Sequence, residues 1–272
     1  MSMRSTSTLL LIVVATAGAL TIGVEDYNYQ EGVYGDFYYL TDGTWSGWDP
    51  AVEEWDFSSL SSAQYAEFEV HDKGDSPHGA SFPAADYAER IQQDDVGEVW
   101  FYSGLGSDYR QYGATLPWGG LQFETTYDPD ITFWDLPLEV GTSWSYVYTY
   151  DFWVAIIHVI VDESHDKEII AEGRVKVPAS DGQWWPCLVL REHAVVSDNW
   201  GQTDKDVWIY GWIVPEGFIG QSGVASVESI DGGAPSFTSY SKFYVLADSN
   251  IEPEPWSEIV PASWGSIKAG QR

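Results

Sequence analysis

Thr142-Ser143-Trp144-Ser145-Tyr146-Val147-Tyr148-Thr149-Tyr150-Asp151 decides the fold. Every second residue from Trp144 to Tyr150 is aromatic, and serine, valine and threonine stand between them. Side chains alternate between the faces of a strand but recur every 3.6 residues on a helix, so this stretch is a β-strand with one aromatic face. Shorter alternating runs occupy residues 65–71, 98–103, 120–126, 168–177, 187–196, 206–214 and 236–246. Residues 152–161 are apolar except for His158, which predicts a strand covered on both faces. Turn signals separate the runs, among them Lys73-Gly74-Asp75, Pro117-Trp118-Gly119-Gly120, Asp181-Gly182, Asn199-Trp200-Gly201 and Asp231-Gly232-Gly233. Many short strands at regular spacing predict an all-β fold, a single mostly antiparallel sheet forming a sandwich or barrel-like domain. At most one short helix fits beside it, over residues 84–93, where Tyr87, Ala88 and Ile91 would share a face.

The chain has 272 residues and a formal net charge of -30, from 42 acidic and 12 basic side chains. That length gives one domain, or at most two, with a core large enough to need no disulfide. At 44% hydrophobic and 16% aromatic residues the composition is that of a folded globular protein. Its negative field repels phosphates and anionic headgroups, and the scattered Lys and Arg offer no basic patch, so nucleic-acid and membrane-surface partners are excluded. Cys187 is the one cysteine; between Trp185 and Leu188 it reads as a buried small hydrophobe, not a nucleophile.

The amino terminus reads as a secretory signal peptide. Arg4 is followed by an aliphatic run over residues 9–14 and then by Ala15-Thr16-Ala17-Gly18-Ala19, a small-residue cleavage pattern. Residues 9–22 are too short for the roughly 20 residues that span a bilayer. The expected organisation is a signal peptide over 1–19, a lead-in over 20–44, a β domain over 45–247, and a Pro/Glu linker with a C-terminal tag over 248–272. Glu252-Pro253-Glu254-Pro255 makes that linker stiff and solvated.

Four stretches stand in a suggestive order: Trp55-Asp56-Phe57-Ser58-Ser59-Leu60, Phe82-Pro83-Ala84-Ala85, Leu136-Pro137-Leu138-Glu139-Val140-Gly141-Thr142-Ser143-Trp144 and Glu172-Gly173-Arg174-Val175-Lys176-Val177-Pro178-Ala179. Together they resemble a group of uncharacterised secreted β-rich bacterial proteins that often end in a short sorting segment. Trp264-Gly265-Ser266-Ile267-Lys268 is similar to the terminal tag of some exported bacterial proteins, although Ala269-Gly270-Gln271 lacks a bulky apolar residue before Arg272. The resemblance implies location and fold class; it carries no activity.

Phosphate loops, His-Glu-x-x-His, Cys-x-x-Cys and Gly-x-Ser-x-Gly are all missing from the sequence. Two clusters hold metal-ligand side chains, His71-Asp72 with Asp75 and His78, and His158 with Asp162, His165 and Asp166, but an Asp beside a His is expected in so acidic a chain. The expectation is therefore no cofactor, with calcium the metal that Asp94-Asp95, Asp128-Pro129-Asp130 and Asp162-Glu163 would suit. Glu124, Glu139 and Glu192 are carboxylates for a catalytic pair. Glu192 shares a strand face with Leu188, Leu190 and Ala194, where burial would raise its pKa.

The 15 tryptophans and 17 tyrosines are the compositional oddity. Trp118, Trp134, Trp184 and Trp200 lie in or beside turns and are the candidate ligand-binding residues, because exposed aromatic planes stack on sugar rings. Two function classes follow. One is an exported, non-catalytic surface protein that acts by binding, adhesion or assembly, with a glycan or a cell-surface protein as partner and no membrane span once the signal is removed. The alternative is a secreted carbohydrate-active enzyme with an acidic pair in an aromatic cleft.

Overall fold

The computed structural model describes residues 19–27, 29–94, 96–118, 121–201, 205–217, 223–230 and 236–255, and of Trp118 and Leu121 the backbone only. Its strands are β1 (Tyr34–Thr44), β2 (Glu54–Asp56), β3 (Tyr65–Asp72), β4 (Tyr87–Gln93), β5 (Gly97–Leu105), β6 (Tyr109–Trp118), β7 (Leu121–Trp134), β8 (Ser143–Val154), β9 (Ile157–Lys176), β10 (Trp185–Asp198), β11 (Lys205–Ile213), β12 (Ala225–Ser229) and β13 (Ser239–Ser249). From β3 to β13 each strand pairs antiparallel with the next in sequence, and β1 joins the two ends by pairing with β3 on one side and β13 on the other. The result is an up-and-down barrel, all-β and closed. β2 lies outside the ring, parallel to β9.

The register of β8 and β9 fixes inside and outside. Trp144, Tyr146, Tyr148 and Tyr150 stand opposite Lys167, His165, Glu163 and Val161, and all of these side chains face the lumen. The intervening Ser143, Ser145, Val147 and Thr149 face out, opposite Glu168, Asp166, Ser164 and Asp162. The aromatic face read from the sequence is thus the barrel wall. An outward hydroxyl and carboxylate row is the reverse of a membrane-spanning barrel, whose outer face is apolar. Among the described residues no helix is long and apolar enough to cross a membrane.

Strand number explains the demand for aromatics. A circular barrel of twelve strands spaced ~4.8 Å apart and tilted ~40° has a backbone radius of about 12 Å, against about 8 Å for eight strands. Valine and leucine cannot fill the wider lumen; tyrosine and tryptophan reach further. One end is also closed by the segment before β1. Ile22 bridges Leu138, both with no exposure, and Tyr27, Tyr29 and Val33 are buried behind them. A second aromatic layer lies outside the barrel, where residues 45–57 cross the sheet. Trp48 stacks on Tyr210 at 5.2 Å, and Phe57 packs edge-on against Trp212 at 4.8 Å and Phe243 at 5.2 Å. Gly173 permits that crossing, because a Cβ there would lie 2.4 Å from the Glu53 carbonyl oxygen.

Three expectations need correction. Residues 87–93 form β4 and not a helix, since Tyr87 and Ile91, four apart, share a face at period two as well as at helical spacing. Residues 152–161 are not one covered strand. The chain turns between β8 and β9 with Ala155 at φ 56°, leaving Ile156 92% exposed. Nor do residues 20–44 act as a lead-in, because β1 closes the barrel. The signal-peptide and terminal-tag readings lie almost wholly outside the described residues.

Candidate functional site

The lumen carries an ionic cluster on β8, β9 and β10. His165 hydrogen-bonds through both ring nitrogens, Nδ1 to Glu192 Oε1 at 2.7 Å and Nε2 to Glu163 Oε2 at 3.1 Å. Two carboxylate acceptors require two N–H donors, so the ring is an imidazolium. It stacks on Tyr146 at 4.7 Å. Tyr148 donates to Glu163 Oε2 at 2.6 Å and Tyr150 to Oε1 at 3.0 Å. Lys167, with no exposed side-chain surface, pairs with Glu192 at 3.5 Å and sits 3.5 Å over the Phe133 ring.

The pKa shifts follow from this geometry. Burial works against charge on His165, but the hydrogen bonds to Glu163 and Glu192 outweigh it and raise the imidazole pKa. Burial would raise Glu192 and Glu163, yet Lys167 and His165 hold the first below the usual carboxylate range, and His165, Tyr148 and Tyr150 hold the second there. Lys167 is lowered by burial, opposed by Glu192. The sequence placed Glu192 correctly in the interior but gave its pKa the wrong sign, because its cationic partners come from another strand. Two anions and two cations leave the cluster neutral.

A second cluster faces the lumen from β4–β6. Glu89, wholly buried, accepts hydrogen bonds at Oε1 from Tyr29, Tyr109 and, at 2.8 Å, Ser103. Its Oε2 is buried and has no hydrogen-bond partner among the described residues. Burial raises the Glu89 pKa against the hydrogen bonds from Tyr109, Tyr29 and Ser103.

On the outer face, Ser145, Asp166, His193 and Trp208 form a row across β8, β9, β10 and β11. Trp208 stacks on His193 at 4.3 Å, and His193 Nε2 lies 2.8 Å from Asp206. Arg191 donates to Glu168 one row away. The short Ser143 and Ser145 leave a groove of about 400 Å³ between these taller side chains. Further along the same face Val147, Val195 and Trp153 are exposed, with Trp200 just beyond the end of β10.

The four candidate tryptophans do not converge. Trp134 is fully buried at the lumen wall, 5.8 Å from Trp144 and beneath Lys167, so it is no surface contact. It ends a strand next to a turn, but Ile22 and Leu138 cover that end of the barrel. Trp184 is half-buried before β10, under Lys176 at 4.3 Å and Arg174 at 5.1 Å. Trp200 is 44% exposed beyond the other end of β10. The Trp118 side chain lies outside the described residues.

Glu124 and Glu139 are exposed, and Glu124 pairs with His78 at 2.9 Å, so neither approaches Glu192. His71 packs on Trp100 and His78 turns to Glu124, which separates the first histidine cluster. In the second, His158 bonds Asp151 outside while His165 points into the lumen. Asp162 and Glu163 face opposite sides of β9 and cannot share a calcium ion. Asp128 and Asp130 are exposed, and Asp95 is outside the described residues. Among the described residues no three His, Cys, Asp or Glu side chains are arranged to hold a metal ion.

Sequence reasoning missed Glu89, Lys167, His193 and Trp208. A signal existed for Lys167: Val159, Val161, Glu163, His165, Lys167 and Ile169 form one period-two row whose apolar ends force the charged middle inward.

No family model matches the chain, and no curated protein matches it. Among solved structures it is similar to one described as a "putative lipoprotein" from Parabacteroides distasonis ATCC 8503, at 8% identity and a TM-score of 0.34, over 83% of this chain and 98% of that one. At that TM-score the likeness carries no argument.

Proposed function

We propose that the chain is an exported, non-catalytic binding protein whose outer face over β8–β11 meets a neutral glycan. The observation that carries this reading is the groove in which the Trp208–His193 stack stands beside Asp166, Glu168 and Arg191. Sugar recognition uses that combination: an aromatic edge for the apolar ring face, and carboxylates with a guanidinium for paired hydroxyls. The groove volume falls within the roughly 300–1,000 Å³ of small-molecule sites. The net charge of -30 disfavours anionic polymers. Export rests on the charge and small-residue pattern of residues 1–19 and on the resemblance to secreted β-rich proteins.

The acidic-pair enzyme is less well supported. Glycoside hydrolysis needs a carboxylic acid of raised pKa facing a carboxylate across the sugar. Glu163 and Glu192 are both lowered, and His165 fills the space between them.

Native affinity gels cast with barley β-glucan, galactomannan or xyloglucan test the reading, with polygalacturonic acid as anionic counterpart. At least one neutral polymer should retard the protein, and Trp208→Ala or the groove-filling Ser145→Phe should weaken that retardation at least tenfold. No retardation by any neutral polymer, or retardation unchanged in both variants, contradicts it.

A further inference from the structure

We infer that the barrel lumen is a second binding site, for an uncharged, ring-bearing small molecule with a hydrogen-bonding edge. The inference does not rest on the glycan reading, since it uses the opposite face of the sheet. Phe101, Phe123, Tyr146 and Tyr150 point inward by register, yet each keeps part of its surface exposed, and His165 and Glu163 keep 12% and 14% of theirs. A side chain that faces the inside of a closed barrel is exposed to space within it or at the end that the bridge between Ile22 and Leu138 leaves uncovered, so the aromatic wall borders room that water reaches. That wall supplies ring faces for stacking at the 4.5–7 Å separations such pairs adopt.

The polar groups specify the class. Glu163, Glu192, His165 and Lys167 neutralise one another and burial favours the uncharged form of Glu89, so a ligand charge of either sign would find no free counter-ion in that cluster and would lose its hydration. Hydrogen-bonding capacity is nonetheless left over. Tyr127 and Tyr146 make no hydrogen bond through their hydroxyls among the described residues, and Tyr127 lies in the field of both Glu163 and Glu89. Glu89 Oε2 is a buried oxygen on the same lumen without a hydrogen-bond partner among the described residues, a state that natural folds rarely leave uncompensated. Concave, mostly apolar space with a few unpaired polar atoms is the general form of a small-molecule site.

The probe is N-phenyl-1-naphthylamine, a neutral two-ring-system amine that fluoresces when removed from water. Titration of the folded full chain should give saturable enhancement at one site per chain. Val196→Trp, which places an indole in the lumen opposite Glu163, should weaken that binding at least tenfold while Ser145→Phe leaves it unchanged. Should the urea midpoint of Val196→Trp fall, Ile209→Trp, opposite Glu192, makes the same obstruction from β11. An anionic naphthalene sulfonate should bind at least tenfold more weakly. The inference is overturned by absent saturable enhancement, by unchanged binding in both folded tryptophan variants, or by enhancement lost in Ile156→Ser, which would put the probe on the exposed β8–β9 turn.

Discussion

Replacing Glu192 by glutamine removes one charge from the lumen and keeps the side-chain volume. Lys167 has no exposed side-chain surface and pairs with Glu192 at 3.5 Å, so Glu192→Gln leaves a buried ammonium without its carboxylate. Breaking a buried pair from one side costs about 3–5 kcal/mol. The Phe133 ring, 3.5 Å from Nζ, continues to contribute about 2 kcal/mol of cation–π attraction, which places the expected loss near the lower end, about 3 kcal/mol. Adding Lys167→Met should recover most of it, because an apolar side chain among Phe133, Trp134 and Tyr146 has no desolvation cost to offset. Urea unfolding at pH 6 and 25 °C measures both variants, with an unchanged m-value as the condition for comparing them. A loss below about 1 kcal/mol for Glu192→Gln, or a double variant no more stable than the single, would refute the reasoning.

His165 has a raised pKa in the folded chain, so its contribution is fully present below its ordinary 6.5 and is lost as pH rises through the raised value. Glu163 and Glu192 are lowered, so theirs is present above their ordinary 4.5 and lost as pH falls through the lowered values. The stability gap between wild type and His165→Gln should therefore be widest between pH 4.5 and 6.5 and should narrow on either side; a gap constant from pH 4 to 9 contradicts the cluster. Trp134→Ala should cost about 3–5 kcal/mol as a core aromatic and Trp200→Ala less than about 0.5, compared by the same denaturation, and equal costs would be inconsistent with the burial described. Burial pushes the Cys187 thiol pKa up, so a thiol reagent should leave the native protein unmodified and titrate one thiol after unfolding; rapid native labelling would show the site to be open.

The alternation from Trp144 to Tyr150 was legible because a strand with one wet and one dry face leaves a period-two signal in a single segment. Burial of Glu192 was legible on the same ground, from Leu188, Leu190 and Ala194 on its strand face, and that of Cys187 from its place beside Trp185 and Leu188. The partners of the buried charges were not. His165 and Glu192 are 27 residues apart and Tyr29 and Glu89 are 60 apart, so their meeting depends on strand order and register. The turn after β8 was invisible because Val154-Ala155-Ile156-Ile157 contains no Gly, Asn or Pro to mark it. Trp208 was passed over for tryptophans nearer to turns, yet a mid-strand position gives it a neighbour on β10, while Trp184 and Trp200 stand beyond opposite ends of that strand.

Everything inferred about the lumen depends on closure of the barrel, and closure depends on β1 meeting β13. Thr44 and Ser239 are register partners at the exposed end of that pair. A Thr44→Cys, Ser239→Cys chain oxidised under mild conditions should form the cross-strand disulfide in nearly every molecule, since opposed residues in an antiparallel pair have Cβ atoms about 4.5–5.5 Å apart. Closing so long a loop should stabilise the fold by roughly 5 kcal/mol in the chain-entropy model. The offset pair Thr44→Cys, Ser241→Cys should not form it, because diagonal partners are about 7–8 Å apart. Quantitative bonding of the first pair and none of the second, read by peptide mass spectrometry, is the expected result. Failure of the first, or equal bonding of both, would mean that β1 does not close the barrel in this register.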